Sequence, residues 1–330
     1  MTQPMFSASL ICPQCGGPLP RQARWRSVIC TYCGISVSRA ENFVEAAPFH
    51  QAFLRTQPVP GVASNLIRCQ GQHYKTLLPL GFGTSAKVML AERVGALTER
   101  VVLKLANQSA LAGRLKKEMA VLQQLQAIAA PGAAYFSQRL PQPVACGVTE
   151  SVAGESRDAL VLRHPAGFWG SLANVKQLQP LGLDPRHVVW MWRRVLEVLA
   201  YLHDAGWVHG NLSPEHMLVH PKDHGILLIG WAGAQQVQTP ATAGILHPAM
   251  VRDLMQSAWA MRVMLADGDA EPSLSLSTPA ALEALLKNAS EDRQWCTRLG
   301  ARGLDQALAV AARSAFGPSR FIHFNPHSTI

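Results

Sequence analysis

The stretch His209-Gly210-Asn211-Leu212-Ser213-Pro214-Glu215-His216-Met217-Leu218-Val219 decides how the rest of the chain is read. It is followed by Gly225-Ile226-Leu227-Leu228-Ile229-Gly230-Trp231-Ala232, an apolar run between two glycines. Upstream, Val188, Trp192, Val195, Leu199 and Leu202 recur at alternating spacings of four and three, which is one face of a helix. Asp184 stands where a side chain can cap that helix, Pro185 suits its first position, and Gly206 marks its end. A polar loop carrying two histidines therefore lies between a long amphipathic helix and short strands.

Further toward the N-terminus, Val101-Val102-Leu103-Lys104-Leu105 sets one lysine inside an apolar strand, where an unpaired ammonium is costly. Glu118 is its natural partner. It falls in a second helical pattern, whose stripe is Leu111, Leu115, Met119, Leu122 and Leu125. Ahead of the lysine, the strand-like runs Thr76–Leu80 and Lys87–Ala91 flank Leu80-Gly81-Phe82-Gly83-Thr84-Ser85-Ala86-Lys87-Val88.

In order, spacing and flanking strands, these elements resemble the protein kinase family over residues 74–265. The resemblance implies an α+β, bilobal protein-kinase-like fold, with a small β-rich N-lobe and a helical C-lobe that is reduced if the fading likeness past Ala266 reflects lost elements. It makes Gly81 and Gly83 part of a glycine-rich loop, with Ala86 where a third glycine usually stands. Lys104 and Glu118 become the pair that orders the phosphates of ATP. Leu162 to Ala166 becomes the hinge, and Asp253 resembles the start of the buried helix of the larger lobe.

The departures from that pattern fall on the chemistry. Asn211 stands where the family has its catalytic aspartate, and a carboxamide takes up no proton near neutral pH. The asparagine ligand of Mg²⁺ is replaced by His216, a softer donor. The metal-binding aspartate is replaced by Gly230. No Ala-Pro-Glu lies between Gly230 and Asp253, so the peptide-binding platform is expected to be shortened. These losses imply a pseudokinase: no enzyme, but an interaction or scaffold module whose Gly81, Gly83, Lys104 and Glu118 are vestiges that hold ATP weakly or not at all. Two alternatives stay open. One is an atypical ATP-dependent kinase or nucleotidyl transferase. The other is a nucleic-acid-binding adaptor.

Residues 1–40 read as a separate unit. Cys12-Pro13-Gln14-Cys15 and Cys30-Thr31-Tyr32-Cys33 are two knuckles at metal-site spacing, each followed by a glycine. Four thiolates would close a tetrahedron around a structural Zn²⁺, and so short a segment needs the metal to fold. Arg24-Trp25-Arg26 offers a basic, aromatic tip for nucleic acid, although a solvated loop or protein-docking edge is the favoured reading. Residues 41–70 read as a connector with Pro58-Val59-Pro60-Gly61 and a short helix from Pro48 to Leu54. Residues 71–330 form the kinase-like domain. Its tail, Phe316 to Phe324, either packs back on the domain or docks elsewhere.

Composition sets the outer bounds. With 330 residues, 48% of them hydrophobic and 15% charged, the chain can build a sizeable core and disorder is not expected. Seven cysteines, four of them in the two knuckles, suit a reducing compartment better than a disulfide framework. No apolar run reaches membrane-spanning length and Met1-Thr2-Gln3-Pro4 opens no secretory signal, so a cytoplasmic protein with protein partners and no membrane contact is expected. A net charge of +9 permits anionic partners without requiring them.

Overall fold

The computed structural model describes residues 10–12, 17–19, 28–32, 34, 36–37, 66–95, 99–107, 112–151, 156–238, 246–267 and 278–327. Near the N-terminus, β1 (Leu10–Ile11) pairs with β2 (Pro18–Leu19), and β3 (Val28–Ile29) with β4 (Ser36–Val37), both antiparallel. Cys12 and Cys30, each 1% exposed, share a small apolar cluster with Leu19 and Val37. Cys15, Cys33, the Arg24-Trp25-Arg26 tip and the Pro48–Leu54 helix lie outside the described residues.

Six antiparallel strands close into a barrel: β5 (Leu66–Cys69), β6 (Gln72–Phe82), β7 (Ala86–Arg93), β8 (Glu99–Ala106), β9 (Pro143–Ser151) and β10 (Asp158–Arg163). β5 lies inside the stretch read as a connector, which corrects that boundary. It pairs with β6 on one side and β9 on the other and thereby removes both free sheet edges. The β5–β6 turn holds two residues, Gln70 and Gly71, with φ of 48° and 74°. Positive φ at both positions is the tight hairpin geometry that favours glycine. Alternation along β8 turns Val101 and Leu103 into the barrel beside Tyr74, Ala91, Ala159 and Val161. Val102 and Lys104 consequently face the other way.

That outward face meets α1 (Ala112–Gln126). Leu115, Leu122 and Leu125 are buried along its stripe, and Glu118, one turn from Leu115 and Leu122, is buried with them at 1% exposure. Leu111, the first residue read into the stripe, is outside the described residues. A short α2 (Ala133–Phe136) leads back to β9.

The larger lobe begins at β11 (Gly170–Ser171) and α3 (Leu172–Leu178), which opens on a capping box between Ser171 and Asn174. α4 (Pro185–Asp204) is its central helix. The Asp184 side chain accepts from Arg186 N at 2.8 Å, and Gly206 has a φ of 74°, so cap and stop fall where the sequence puts them. All five stripe residues of α4 are buried. Next come β12 (Trp207–Val208), β13 (Met217–His220), β14 (Gly225–Leu228), β15 (Gln235–Gln236), α5 (Pro248–Leu265), α6 (Ala280–Glu291) and α7 (Arg293–Phe316), the last broken at Gly300. Asp253 sits inside α5, not at its start: the helix opens at Pro248 behind a His247 cap.

The segment after α7 folds back. Phe324 is 7% exposed, Gln179 donates to the carbonyls of Asn325 and Pro326, and Phe321 packs on the N-terminal cluster. Tyr32 completes the junction: its hydroxyl donates to the Asp223 carbonyl and its ring meets Phe321 edge-on at 5.7 Å. Among the described residues no helix is long and apolar enough to cross a membrane.

Candidate functional site

Gly81, Gly83, Lys104, Glu118, Asn211, His216 and Gly230 all line one cleft between the barrel and the helical lobe, with a volume of about 2260 Å³. Ordinary small-ligand pockets reach roughly 1,000 Å³, so this cleft is larger than most.

On the barrel side, the glycine-rich turn is pinned from below. Gly83 N donates to Ala86 O at 2.9 Å, and the Asn107 side chain donates to the carbonyls of Gly83 and Thr84. Asn107 was not visible as a site residue in the sequence, because an asparagine after a strand reads as a simple terminator. Lys104 Nζ lies 2.5 Å from Glu118 Oε2, and the second oxygen of Glu118 accepts from Trp231 N at 3.3 Å. A single buried carboxylate therefore ties strand β8 to helix α1 and to the residue after Gly230. Trp231 is fully buried and donates its indole N–H to Leu228 O.

On the lobe side, Asp253 organises the loop. Its carboxylate, fully buried, accepts from His209 N at 2.7 Å and Gly210 N at 2.8 Å, and the next turn of α5 sends Gln256 to accept from Leu212 N. His209 is buried as well. Nε2 donates to Ile229 O at 2.9 Å and Nδ1 accepts from Asn211 N at 3.3 Å, which fixes a neutral ring. Burial holds its pKa down at about 4 despite the Asp253 charge. This histidine is a brace and not a proton carrier at neutral pH.

The Asn211 backbone is held from its other end too, since His216 Nδ1 lies 2.8 Å from Asn211 O. The Asn211 side chain is left exposed on the cleft. Gly230 has a φ of 85°, and a Cβ built there would stand 2.7 Å from the His216 ring. The imidazole thus fills the space of a side chain at position 230. Magnesium does not fit this donor set as the kinase pattern holds it. A hard ion seeks oxygens, whereas the chain offers a nitrogen at 216 and no side chain at 230.

Residues 83–236, from the glycine-rich turn to β15, match the lipopolysaccharide kinase (Kdo/WaaP) family. A serine/threonine-protein kinase of Myxococcus xanthus, pkn2, is 27% identical over 185 residues, which are 54% of this chain and 20% of that protein. The fold and both likenesses make this a protein-kinase-like chain. They also overturn the expectation of a non-enzyme drawn from Asn211, His216 and Gly230, because both matches are to kinases and point to activity.

Proposed function

We propose that the chain is an atypical ATP-dependent kinase, transferring the terminal phosphoryl group of ATP to a hydroxyl. The observation that carries this is the chain of contacts from Lys104 through Glu118 to Trp231, which holds a cation at the cleft where phosphates would lie. Val88, Val102, Leu218 and Ile229 give the same cleft an apolar floor suited to a base. The acceptor we favour is a glycan hydroxyl. The matched family is named for lipopolysaccharide, and the segment from Gly230 to Asp253 lacks the residues of a peptide platform. The test incubates purified protein with ATP labelled at the γ- or α-phosphate, Mg²⁺ or Mn²⁺, and lipopolysaccharide or a mixed protein substrate. Transfer of γ-label to lipopolysaccharide is expected and should be lost in Lys104→Met. Transfer of α-label would make the chain a nucleotidyl transferase, and no transfer of either label would refute the reading.

The N-terminal hairpins are read as a zinc ribbon serving as a docking element for a protein partner, with Cys12, Cys15, Cys30 and Cys33 as ligands. The burial of Cys12 and Cys30 in one cluster supports this. Elemental analysis of protein purified without chelators should give one Zn²⁺ per chain, falling to none in Cys30→Ser. A zinc-free wild-type protein would remove the proposal.

A further inference from the structure

We propose that Arg114 is a catalytic residue of this cleft, its guanidinium binding the terminal phosphoryl group of ATP and stabilising the charge that builds there during transfer. This deepens the kinase reading and rests on it.

Position is the first argument. In a helix of 3.6 residues per turn, Arg114 lies about 40° from Glu118 and about 20° from Val121 and Leu125. It therefore belongs to the core-facing stripe of α1, in which Leu115, Glu118, Val121, Leu122 and Leu125 are all buried. Arg114 itself is exposed and lines the cleft together with Glu118. A cation in the first turn also opposes the helix dipole, and no acidic residue stands in that turn to offset it. The second argument is the missing partner. Arg114 and Glu118 have the i, i+4 spacing at which helices pair opposite charges. Here both Glu118 oxygens are engaged, one by Lys104 Nζ and the other by Trp231 N. Among the described residues the Arg114 side chain has no ion pair and no hydrogen bond. The other barrel-side cations of the cleft are spent, Lys104 on Glu118 and Arg163 on Glu99.

Chemistry completes the case. The acceptor hydroxyl oxygen bonds to the γ-phosphorus as the bond from that phosphorus to the β,γ-bridging oxygen breaks. ADP leaves with the electron pair of the broken bond, and the hydroxyl proton passes to water. Negative charge spreads over the outer oxygens of the moving group, and a planar guanidinium can meet two of them at once. With an imidazole at 216 and no side chain at 230, neither position offers a carboxylate to fix a cation beside those oxygens. An arginine held on α1, one turn from the Glu118 contact with Trp231, meets the need that the loop leaves open.

The test compares full-length wild-type, Arg114→Ala and Arg114→Lys proteins. In calorimetric titrations, Arg114→Ala should bind ADP within about twofold of wild type and lose at least about tenfold in affinity for a non-hydrolysable ATP analogue. Transfer of γ-label from ATP to lipopolysaccharide should fall at least about a hundredfold in kcat for Arg114→Ala, the usual effect of losing one charge-stabilising donor, with partial recovery in Arg114→Lys. The thermal unfolding temperature should stay unchanged in both variants, which separates this role from a structural one. Equal losses for ADP and the analogue, or wild-type analogue affinity in Arg114→Ala, would overturn this inference and leave the ATP site standing. Wild-type protein that binds neither nucleotide would overturn both.

Discussion

Acidification from pH 7.5 to 5.0 is expected to lower the folding stability by up to about 6 kcal/mol, through three histidines held neutral inside the larger lobe. Burial pushes His187 and His209 down to about 4 and His224 to about 3, from an ordinary value of 6.5. In two of the rings a second proton would break a hydrogen bond. His187 Nδ1 accepts from Trp190 Nε1 at 3.1 Å, and His209 Nδ1 accepts from Asn211 N. His224 lies stacked between Trp190 and Phe321, at 4.1 and 4.2 Å. The neighbouring charges do not reverse the trend. Asp184 favours the charged form of His187 and Arg186 opposes it, Asp253 favours that of His209 and His216 opposes it, and His187 and then Arg194 oppose that of His224. Because the folded pKa values are depressed, the unfolded chain binds more protons between pH 6.5 and about 4. Stability therefore rises with pH across that window and falls as acid is added. At pH 5.0 each histidine contributes roughly 2 kcal/mol of loss, against a total stability of about 5–15 kcal/mol for a typical protein. Urea denaturation at the two pH values measures the difference, and equal midpoints would contradict the assignment.

Lys104→Met is expected to destabilise the chain by about 3–5 kcal/mol, the usual effect of removing one partner of a buried pair. From the sequence, the lysine looks like the buried member, so that Lys104→Met is expected to be better tolerated than Glu118→Ala, which strands an ammonium. In the structure the carboxylate is the more deeply buried partner, since the Glu118 side chain is 2% exposed and that of Lys104 is 17%. Without the ammonium, an uncompensated carboxylate is left between α1 and Trp231. Glu118→Gln keeps an acceptor for Trp231 N and leaves Lys104 able to reach the cleft, so it should cost only about 1–2 kcal/mol. Thermal or urea unfolding of both variants checks the ranking, and a larger loss for Glu118→Gln would contradict it.

What the sequence made legible was local or punctuated. The 209–219 loop stands out because its glycine, proline and histidines interrupt two apolar patterns. The ends of α4 are written by Asp184, Pro185 and Gly206. The pairing of Lys104 with Glu118 follows from electrostatics alone. Other features depend on partners far along the chain. Leu66–Cys69 alternates too little to announce a strand, and it becomes one only because β6 and β9 both present it with hydrogen-bonding edges. The tail could not be placed because nothing in Phe321 names Tyr32. At 216 and 230 the sequence showed two separate losses, and only the backbone turn at Gly230 brings the imidazole over the gap.

The clasp between Tyr32, His224 and Phe321 has a consequence for how the molecule is made. The N-terminal hairpins leave the ribosome early, but the aromatic surface that receives Tyr32 includes a residue translated almost three hundred positions later. During synthesis Tyr32 can settle on Asp223 and His224 once these are made, and Phe321 closes over the two rings only afterwards. A chain lacking Phe321 would leave the Tyr32 and His224 rings without that shared contact.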